Sequence, residues 1–359
     1  MELFFELILV SLGVRTSLSR IPTTSEWNEI YKMAEKQALI GLLFSAVEKL
    51  NERDKTIMLP MQLFYQWTGI VLNMEAQNKR LNEAAEHLTR IFKNGGLRSC
   101  VLKGQGIATL YPQPLRRQPG DIDLWVEGGR ERVLQFLKCS FLRIGHIVIH
   151  HVDTRIIEGV ETEIHFVPVY ACNPFLHYRL QQFFRRHADE QFSNIDSELG
   201  FAHPTLRFNA VYILAHIYMH FLYEGIGLRQ IVDYYYVLVN LSEEERHQAL
   251  EDIKRIGLSK FSGAVMYVLK KICGMDETCF VAKSDNKRGT LLLEEIMRSG
   301  NFGKYDDRLK NRDGKNLILF NIVALKRQLQ FFKYYPVDII SIPFFKVGHW
   351  FWRKWKGYL

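Results

Sequence analysis

A short apolar segment that carries two aspartates constrains the fold of this chain most strongly. Residues 120–126 are Gly-Asp-Ile-Asp-Leu-Trp-Val, so a single apolar residue separates Asp121 from Asp123. In a β-strand successive side chains alternate between the two faces, so both carboxylates point the same way while Ile122 and Leu124 point into a core. Two like charges side by side repel each other unless a cation lies between them. The segment therefore predicts a strand edge that holds a divalent metal, and its oxygen ligands suit Mg²⁺. A solvated strand face is the alternative.

The patterns around this strand predict an α+β fold, in which a small mixed sheet lies between N-terminal and C-terminal helical regions. Helical spacing is expected over residues 1–95, with an N-terminal cap near Ser25 and a long helix over residues 60–92. From residue 99 the order strand, helix, strand, helix, strand, strand follows, with the elements at 100–102, 107–111, the aspartate strand, 129–140, 146–153 and 155–170. Apolar helices are expected again from residue 204, at 206–224 and 227–241.

These patterns divide the chain into four regions. We expect an N-terminal helical region (1–95), a compact α/β core (96–172), a helical domain that closes the cleft of this core (173–282), and a polar segment followed by a basic aromatic tail (283–359). The polar stretch at 283–315, which includes Gly289, Gly300 and Gly303, is the best candidate for a mobile segment.

Charge and cysteine content limit the classes of partner and compartment. The formal net charge of +8 favours an anionic partner such as a nucleotide, a nucleic acid or an anionic membrane surface. The five cysteines form no CxxC pair, so neither a zinc site nor a disulfide framework is indicated, and free thiols suit a reducing cytoplasm. The most apolar long stretch, 334–352, is interrupted by charges and prolines, so no transmembrane segment is expected.

Two further segments complete a candidate chemical site. Lys103-Gly104 forms a strand-to-helix turn in which glycine lets a phosphate approach the backbone. Residues 160–166 alternate so that Glu161, Glu163 and His165 share one face, and an acid there could complete a cluster of three carboxylates. Such a cluster suits nucleotidyl transfer, in which two Mg²⁺ ions clamp the attacking and leaving oxygens. Alternation alone does not separate Glu161 from Glu163.

Taken together, these segments resemble the uncharacterised bacterial nucleotidyltransferase family of the DNA polymerase β-like superfamily. The resemblance rests on Leu102-Lys103-Gly104, Tyr111, residues 117–124, residues 163–166, His203-Pro204, His216-x-x-x-His220 and residues 227–233. It implies that Asp121, Asp123 and Glu163 are the catalytic metal ligands, and that Gly104 lies at the phosphate turn. It also implies transfer of a nucleoside monophosphate from a nucleoside triphosphate to a hydroxyl or phosphate acceptor.

This chain departs from the superfamily pattern at the phosphate turn. Lys103-Gly104-Gln105 stands where the superfamily has a Gly-Gly or Gly-Ser turn. Lys103 is therefore expected to supply a cation where a serine would bind phosphate, although an exposed turn lysine is the alternative. The acceptor, which can be a small molecule, a sugar, a protein or an RNA, is not indicated by the sequence.

Several other residues have both a functional and a structural interpretation. Arg117 is a candidate phosphate clamp, or a surface arginine that Arg116 could replace in that role. His165 is a candidate metal-shell or substrate contact. Arg229 is a candidate substrate contact, or forms a helix pair with Asp233. The i, i+4 pair His216 and His220 has a spacing that can bind metal, but packed core histidines are the favoured interpretation.

Two alternatives to an enzyme remain on the same fold. The first is a nucleotide-binding or nucleic-acid-binding protein without turnover. The second is a membrane-peripheral accessory protein, for example in surface polysaccharide assembly, that uses the aromatic and basic tail at 344–356. A helix that packs these aromatic side chains onto the body of the protein is the structural interpretation of the tail. The predicted location is cytoplasmic, with membrane association through the tail as the variant.

Overall fold

A small four-stranded sheet lies between two groups of helices in the computed structural model, which describes residues 1–141, 144–309 and 317–358. The strands are β1 (Ser99–Leu102), β2 (Ile122–Val126), β3 (His151–Thr154) and β4 (Thr162–His165), in the order β1-β2-β4-β3. The β1–β2 and β3–β4 pairs are antiparallel and the β2–β4 pair is parallel. The predicted α+β class with a small mixed sheet is confirmed.

Helices precede the sheet, connect its strands and follow it. They are α1 (Glu2–Ser11), α2 (Thr24–Lys36), α3 (Ile40–Arg53), α4 (Met61–Asn94), α5 (Gly104–Ala108), α6 (Gly129–Ser140), α7 (Pro174–Ser193), α8 (Leu206–Tyr223), α9 (Leu228–Val239), α10 (Glu243–Ile256), α11 (Ser259–Cys273), α12 (Asn286–Ser299), α13 (Leu317–Leu329) and α14 (Pro336–Lys356). The expected long helix and the expected helices at 129–140, 206–224 and 227–241 are confirmed.

The two faces of the sheet have different chemistry, as the alternation in β2 requires. Ile122, Leu124 and Ile164 are fully buried in a small core that also includes apolar residues of α4 and α6. Asp123 points to the opposite face, which looks toward the helices of the larger core. Burying one face of the sheet therefore forces the acidic residues onto the other face.

Helix α4 holds the loop that leads into β2. Its Asn78 is buried, and the side-chain amide donates hydrogen bonds to the carbonyl oxygens of Leu115 and Arg117, at 2.7 and 2.8 Å. Gln105 of α5 donates to the Asn78 oxygen at 3.2 Å. A single buried amide thus fixes the proline-rich loop and the short helix after β1 relative to each other.

Some predicted element bounds are wrong. The strand expected over 146–153 begins only at His151, because the Val148 amide donates to the His151 carbonyl and closes a turn before it. The next strand is limited to Thr162–His165, and the turn expected near residue 153 lies at 155–161, where Gly159 has a φ of +69°. The cap of α2 is Thr23, which forms a capping box with Glu26, rather than Ser25. Helix α5 begins at Gly104 rather than at residue 107.

The polar segment at 283–315 contains a regular helix. Asp285 caps α12, and Leu292 and Ile296 of this helix are buried in the large core. Residues 310–316 of the expected mobile segment lie outside the described residues. Among the helices of the described chain, none is both long enough and apolar enough to cross a membrane. The four region bounds stay predictions.

Candidate active site

The sheet register brings together acids that are far apart in the sequence. Asp123 and Glu163 are Cα partners in the parallel β2–β4 pair, and Asp153 is the partner of Glu163 on β3. Asp121 lies just before β2 and is exposed at the mouth of the cleft, whereas Asp123 is buried. Four carboxylates therefore line one edge of the sheet, and Asp153 is one that the sequence analysis did not identify.

Two cationic side chains lie against the buried carboxylate. The ammonium nitrogen of Lys103 and Nε2 of His165 each lie 3.0 Å from Oδ1 of Asp123. Burial would raise the pKa of Asp123, but Lys103 and His165 outweigh it and hold that pKa well below its usual range. Burial opposes charge on His165, yet its hydrogen bonds with Asp123 and Glu163 raise the His165 pKa to about 9. Asp123 is therefore a buried carboxylate anion between the cationic side chains of Lys103 and His165.

Asp121 has a different electrostatic environment from that of Asp123. The nearby charge of Asp123 is the main cause that raises the pKa of Asp121 to about 6. A carboxylate whose ionisation is opposed by a neighbouring carboxylate gains from any cation bound between the two. A metal at this edge of the sheet stays a prediction, because Lys103 and His165 already lie against Asp123.

The donor set fits a divalent metal ion. One ligand atom from each of Asp123, Glu163 and His165 lies within 4.8 Å of the other two. Oxygen donors from Asp123 and Glu163 suit Mg²⁺, whereas the His165 nitrogen is more typical of transition-metal sites. A cavity of about 660 Å³ opens beside Asp121, Asp153 and Glu163. Its size is within the range of small-molecule sites in proteins.

The turn after β1 has an unusual backbone. Lys103 has φ 52° and ψ −138°, a conformation that L-residues rarely adopt, and Gly104 follows with φ +38°. A non-glycine residue in such a conformation costs about 1–3 kcal/mol. The strained turn directs the Lys103 ammonium group to Asp123 and to Nε2 of His216, which is 2.8 Å away. Lys103 therefore has a backbone conformation that glycine would adopt without strain, and its ammonium group neutralises the charge of Asp123.

A second, smaller cavity lies between this turn and helices α8 and α9. Its lining includes Lys103, Asp121, Arg117, His216 and Arg229. The guanidinium of Arg229 is buried, and its Nη1 donates to the Gln118 carbonyl oxygen at 3.3 Å. Within the described ranges no carboxylate forms an ion pair with Arg229, and its Nε has no hydrogen-bond partner. Burial and the charge of Arg117 lower the pKa of Arg229. This cavity is therefore suited to an anion.

A comparison with protein-family models identifies the family. The model described as "Uncharacterised nucleotidyltransferase" matches residues 23–274, which include the whole sheet and helices α2 to α11. This chain belongs to that uncharacterised nucleotidyltransferase family. A search of curated proteins and a search of solved structures each gave no match. The resemblance inferred from the motifs is confirmed at the level of the family, whereas bacterial origin and the superfamily placement stay predictions.

Arg117 has a partner that the sequence analysis did not foresee. Its Nε and Nη2 donate to the two carboxylate oxygens of Asp233, both at 2.8 Å, and both side chains are buried. Tyr111 donates to the same carboxylate at 2.7 Å. Asp233 is therefore paired with Arg117, not with Arg229 as its helical spacing suggested. The phosphate-clamp role of Arg117 stays a prediction.

The remaining histidines of the candidate site fall into two groups. His216 lies 3.0 Å from His220 and beside Lys103, and burial lowers the pKa of His216 well below its usual range. His150 and His151 lie next to His165 on the other side of the acids. The sequence analysis missed His150 and His151 because their approach depends on where the turn between β3 and β4 falls. The signal that could have located His151 is the alternation along β3, which places His151 and Asp153 on the same face.

Proposed function

We propose that this protein is a Mg²⁺-dependent nucleotidyltransferase that moves a nucleoside monophosphate from a nucleoside triphosphate to a hydroxyl or phosphate acceptor. The observation that carries the proposal is the register of Asp123 with Glu163 on parallel neighbouring strands, with Asp121 two residues before Asp123. Membership of the nucleotidyltransferase family supports it. In the reaction the acceptor oxygen bonds to the α-phosphorus, the bond from that phosphorus to the β-phosphate bridging oxygen breaks, and pyrophosphate leaves.

Each residue has a role that its position supports. Asp121, Asp123 and Glu163 would hold Mg²⁺, two ions by the family resemblance, which supplies charge neutralisation for the triphosphate and the leaving group. Glu163 is only partly buried and faces the larger cavity, so it is placed to accept the proton of an acceptor hydroxyl. His165 contacts both Asp123 and Glu163 and fixes the direction of these two carboxylates.

The cationic side of the site would hold the phosphates. Arg229 lines the smaller cavity, and no carboxylate of the described residues forms an ion pair with its guanidinium group. Lys103 also lines this cavity. A planar guanidinium binds phosphate oxygens in pairs. Arg117 holds Asp233 of α9, and α9 carries Arg229, so the Arg117–Asp233 pair positions Arg229.

The test uses nucleoside triphosphates labelled at the α-phosphate. The purified protein is incubated with each triphosphate, Mg²⁺ and a cell lysate, and transfer of label and pyrophosphate release are measured. We expect label in one acceptor class with the wild-type protein and none with the double variant Asp121→Asn, Asp123→Asn. Transfer that persists in the double variant would contradict the assignment. Nucleotide binding without pyrophosphate release would favour the non-catalytic nucleotide-binding alternative.

A second candidate property concerns the C-terminal helix α14. One side of the helix packs on the body, where Phe345 stacks on Tyr170 and Arg130 lies 4.5 Å above the ring of Trp352. The packing interpretation of the tail is therefore supported for that side. The other side exposes a row of apolar residues at helical spacing: Val337, Ile340, Phe344, Val347, Phe351 and Trp355. Phe344 and Trp355 are 75% and 80% exposed.

We infer that this exposed side contacts an anionic membrane surface. Lys354 and Lys356 are exposed beside the apolar row, and a helix with an apolar face flanked by bases lies in a lipid interface. The test is co-sedimentation with vesicles of anionic or neutral phospholipid. Phe351→Glu with Trp355→Glu should abolish binding to anionic vesicles, whereas Phe175→Glu, at an exposed phenylalanine of α7, should not. Equal sedimentation of all three proteins would overturn this inference.

A further inference from the structure

Three histidine side chains meet on the sheet beside the proposed carboxylate site. One ring nitrogen from each of His150, His151 and His165 lies within 4.8 Å of the other two. The ring centres are 4.3 Å apart for His150 and His151, 5.2 Å for His151 and His165, and 5.6 Å for His150 and His165. The proposed transfer reaction uses neither His150 nor His151, so this cluster needs its own explanation.

The fold, and not a chance surface contact, brings the three rings together. His151 and His165 are Cα partners in the antiparallel β3–β4 pair. His150 directly precedes β3, its carbonyl accepts a hydrogen bond from the Phe166 amide at 2.8 Å, and its ring packs 4.5 Å from Tyr170. Backbone pairing therefore fixes the separation of the three residues before any ligand binds.

The orientation of His151 matches that of a metal ligand. Its Nε2 lies 3.1 Å from Oδ1 of Asp153, so Nε2–H donates a hydrogen bond to the carboxylate and the lone pair of Nδ1 faces the cluster. Histidines that bind metal commonly donate their other ring N–H to a carboxylate in this way. Nδ1 of His151 then lies 3.0 Å from Nε2 of His150 and 3.3 Å from Oε2 of Glu163.

These spacings suit a tetrahedral ion. Nitrogen and oxygen ligands about 2.0–2.1 Å from a tetrahedral Zn²⁺ lie about 3.3 Å from each other. The distances around His151 Nδ1 are close to that value, and Oε2 of Glu163 lies 3.2 Å from Nε2 of His165. His150 and His165 make these contacts through Nε2, so Nε2 is the ring nitrogen that each would offer to an ion.

We propose that His150, His151 and His165 form a binding site for a first-row transition-metal dication, represented by Zn²⁺, adjacent to the carboxylate site. Imidazole nitrogens favour Zn²⁺, Co²⁺ and Ni²⁺, whereas Mg²⁺ prefers oxygen ligands, so the two sites differ in metal preference. Glu163 is placed to fill the fourth position. The site does not depend on whether the protein transfers nucleotides.

The test is a Co²⁺ titration of the metal-free full-length protein, followed by visible absorption, without any nucleotide. We expect one Co²⁺ per chain with the d–d band of a tetrahedral nitrogen site, and displacement of that band by Zn²⁺. His150→Gln and His151→Gln should each abolish the band, whereas His247→Gln, at an exposed histidine of α10, should retain it. Asp153→Asn should weaken Co²⁺ binding about 10- to 100-fold, because it removes the carboxylate that orients His151.

Asp121→Asn separates this site from the carboxylate site. Among the described residues Asp121 belongs to no ligand group with the three histidines, so this variant should leave the Co²⁺ band in place. Far-ultraviolet circular dichroism of each variant establishes that it is folded before its titration is compared. Zn²⁺ protection of the wild-type histidines from diethyl pyrocarbonate provides a measurement that needs no variant. The proposal is overturned if the wild-type protein gives no band, if the band persists in the His150→Gln, His151→Gln double variant, or if only Asp121→Asn removes it.

Discussion

The substitution Asp233→Asn should destabilise this protein strongly, because it leaves the Arg117 guanidinium buried without a counter-charge. Arg117 and Asp233 have side-chain exposures of 6% and 8% and are joined by two hydrogen bonds of 2.8 Å. The Arg117 charge holds the pKa of Asp233 below its usual range against the opposing effect of burial. Removing one partner of a buried pair costs about 3–5 kcal/mol. Because asparagine keeps the shape and one oxygen acceptor, we expect the lower end, about 3 kcal/mol.

Urea unfolding followed by circular dichroism measures this loss as a change in the free energy of unfolding. The matched control is Glu161→Gln, whose ion pair with Arg155 is almost fully exposed and should contribute little. The double substitution Arg117→Met, Asp233→Leu should recover most of the loss, since it replaces the pair with apolar side chains of similar size. If Asp233→Asn lowers the free energy of unfolding by less than about 1 kcal/mol, the reasoning is refuted, because an unpaired buried charge should destabilise the protein by more than that.

Three further predictions test other parts of the structure. Lys103→Gly should be more stable than Lys103→Ala by about 1–2 kcal/mol in urea unfolding, because both lose the ammonium group but only glycine relieves the backbone strain; equal stabilities would contradict that strain. Burial raises the pKa of Asp338, so its carboxylate costs stability once the pH rises above the unfolded-state value. Asp338→Asn should therefore gain stability over wild type at about pH 7 and lose that gain toward about pH 4, and a pH-independent difference would refute this sign. Arg229→Ala should raise KM for the triphosphate about 10-fold or more, with partial recovery in Arg229→Lys, and an unchanged KM would remove Arg229 from the phosphate site.

The sequence is sufficient for the local features of the site. Alternation along residues 120–126 places Asp121 and Asp123 on one face, and the same rule places Glu163 and His165 together on β4. The bounds of helices α4, α6, α8 and α9 follow closely from apolar spacing. These features depend on neighbours within a few residues, so periodicity predicts them.

Contacts between distant segments are the part that the sequence does not predict. Asp233 has an arginine four residues before it on the same helix, yet it pairs with Arg117, because burial places α9 against the loop before β2. His150 and His151 reach the site because the position of the turn between β3 and β4 places His151 opposite His165. Pairing between strands decides such contacts, and a single sequence carries little information about it.

The most direct test of the central claim compares two neighbouring glutamates of the same segment. Glu163 faces the carboxylate site, whereas Glu161 is 78% exposed and pairs only with Arg155 among the described residues. Pyrophosphate release from a nucleoside triphosphate, with Mg²⁺ and the acceptor fraction, is measured for Glu163→Gln and Glu161→Gln. We predict that Glu163→Gln lowers the rate at least about 100-fold and that Glu161→Gln changes it less than about 2-fold. Equal rates for the two variants would contradict the proposed carboxylate site.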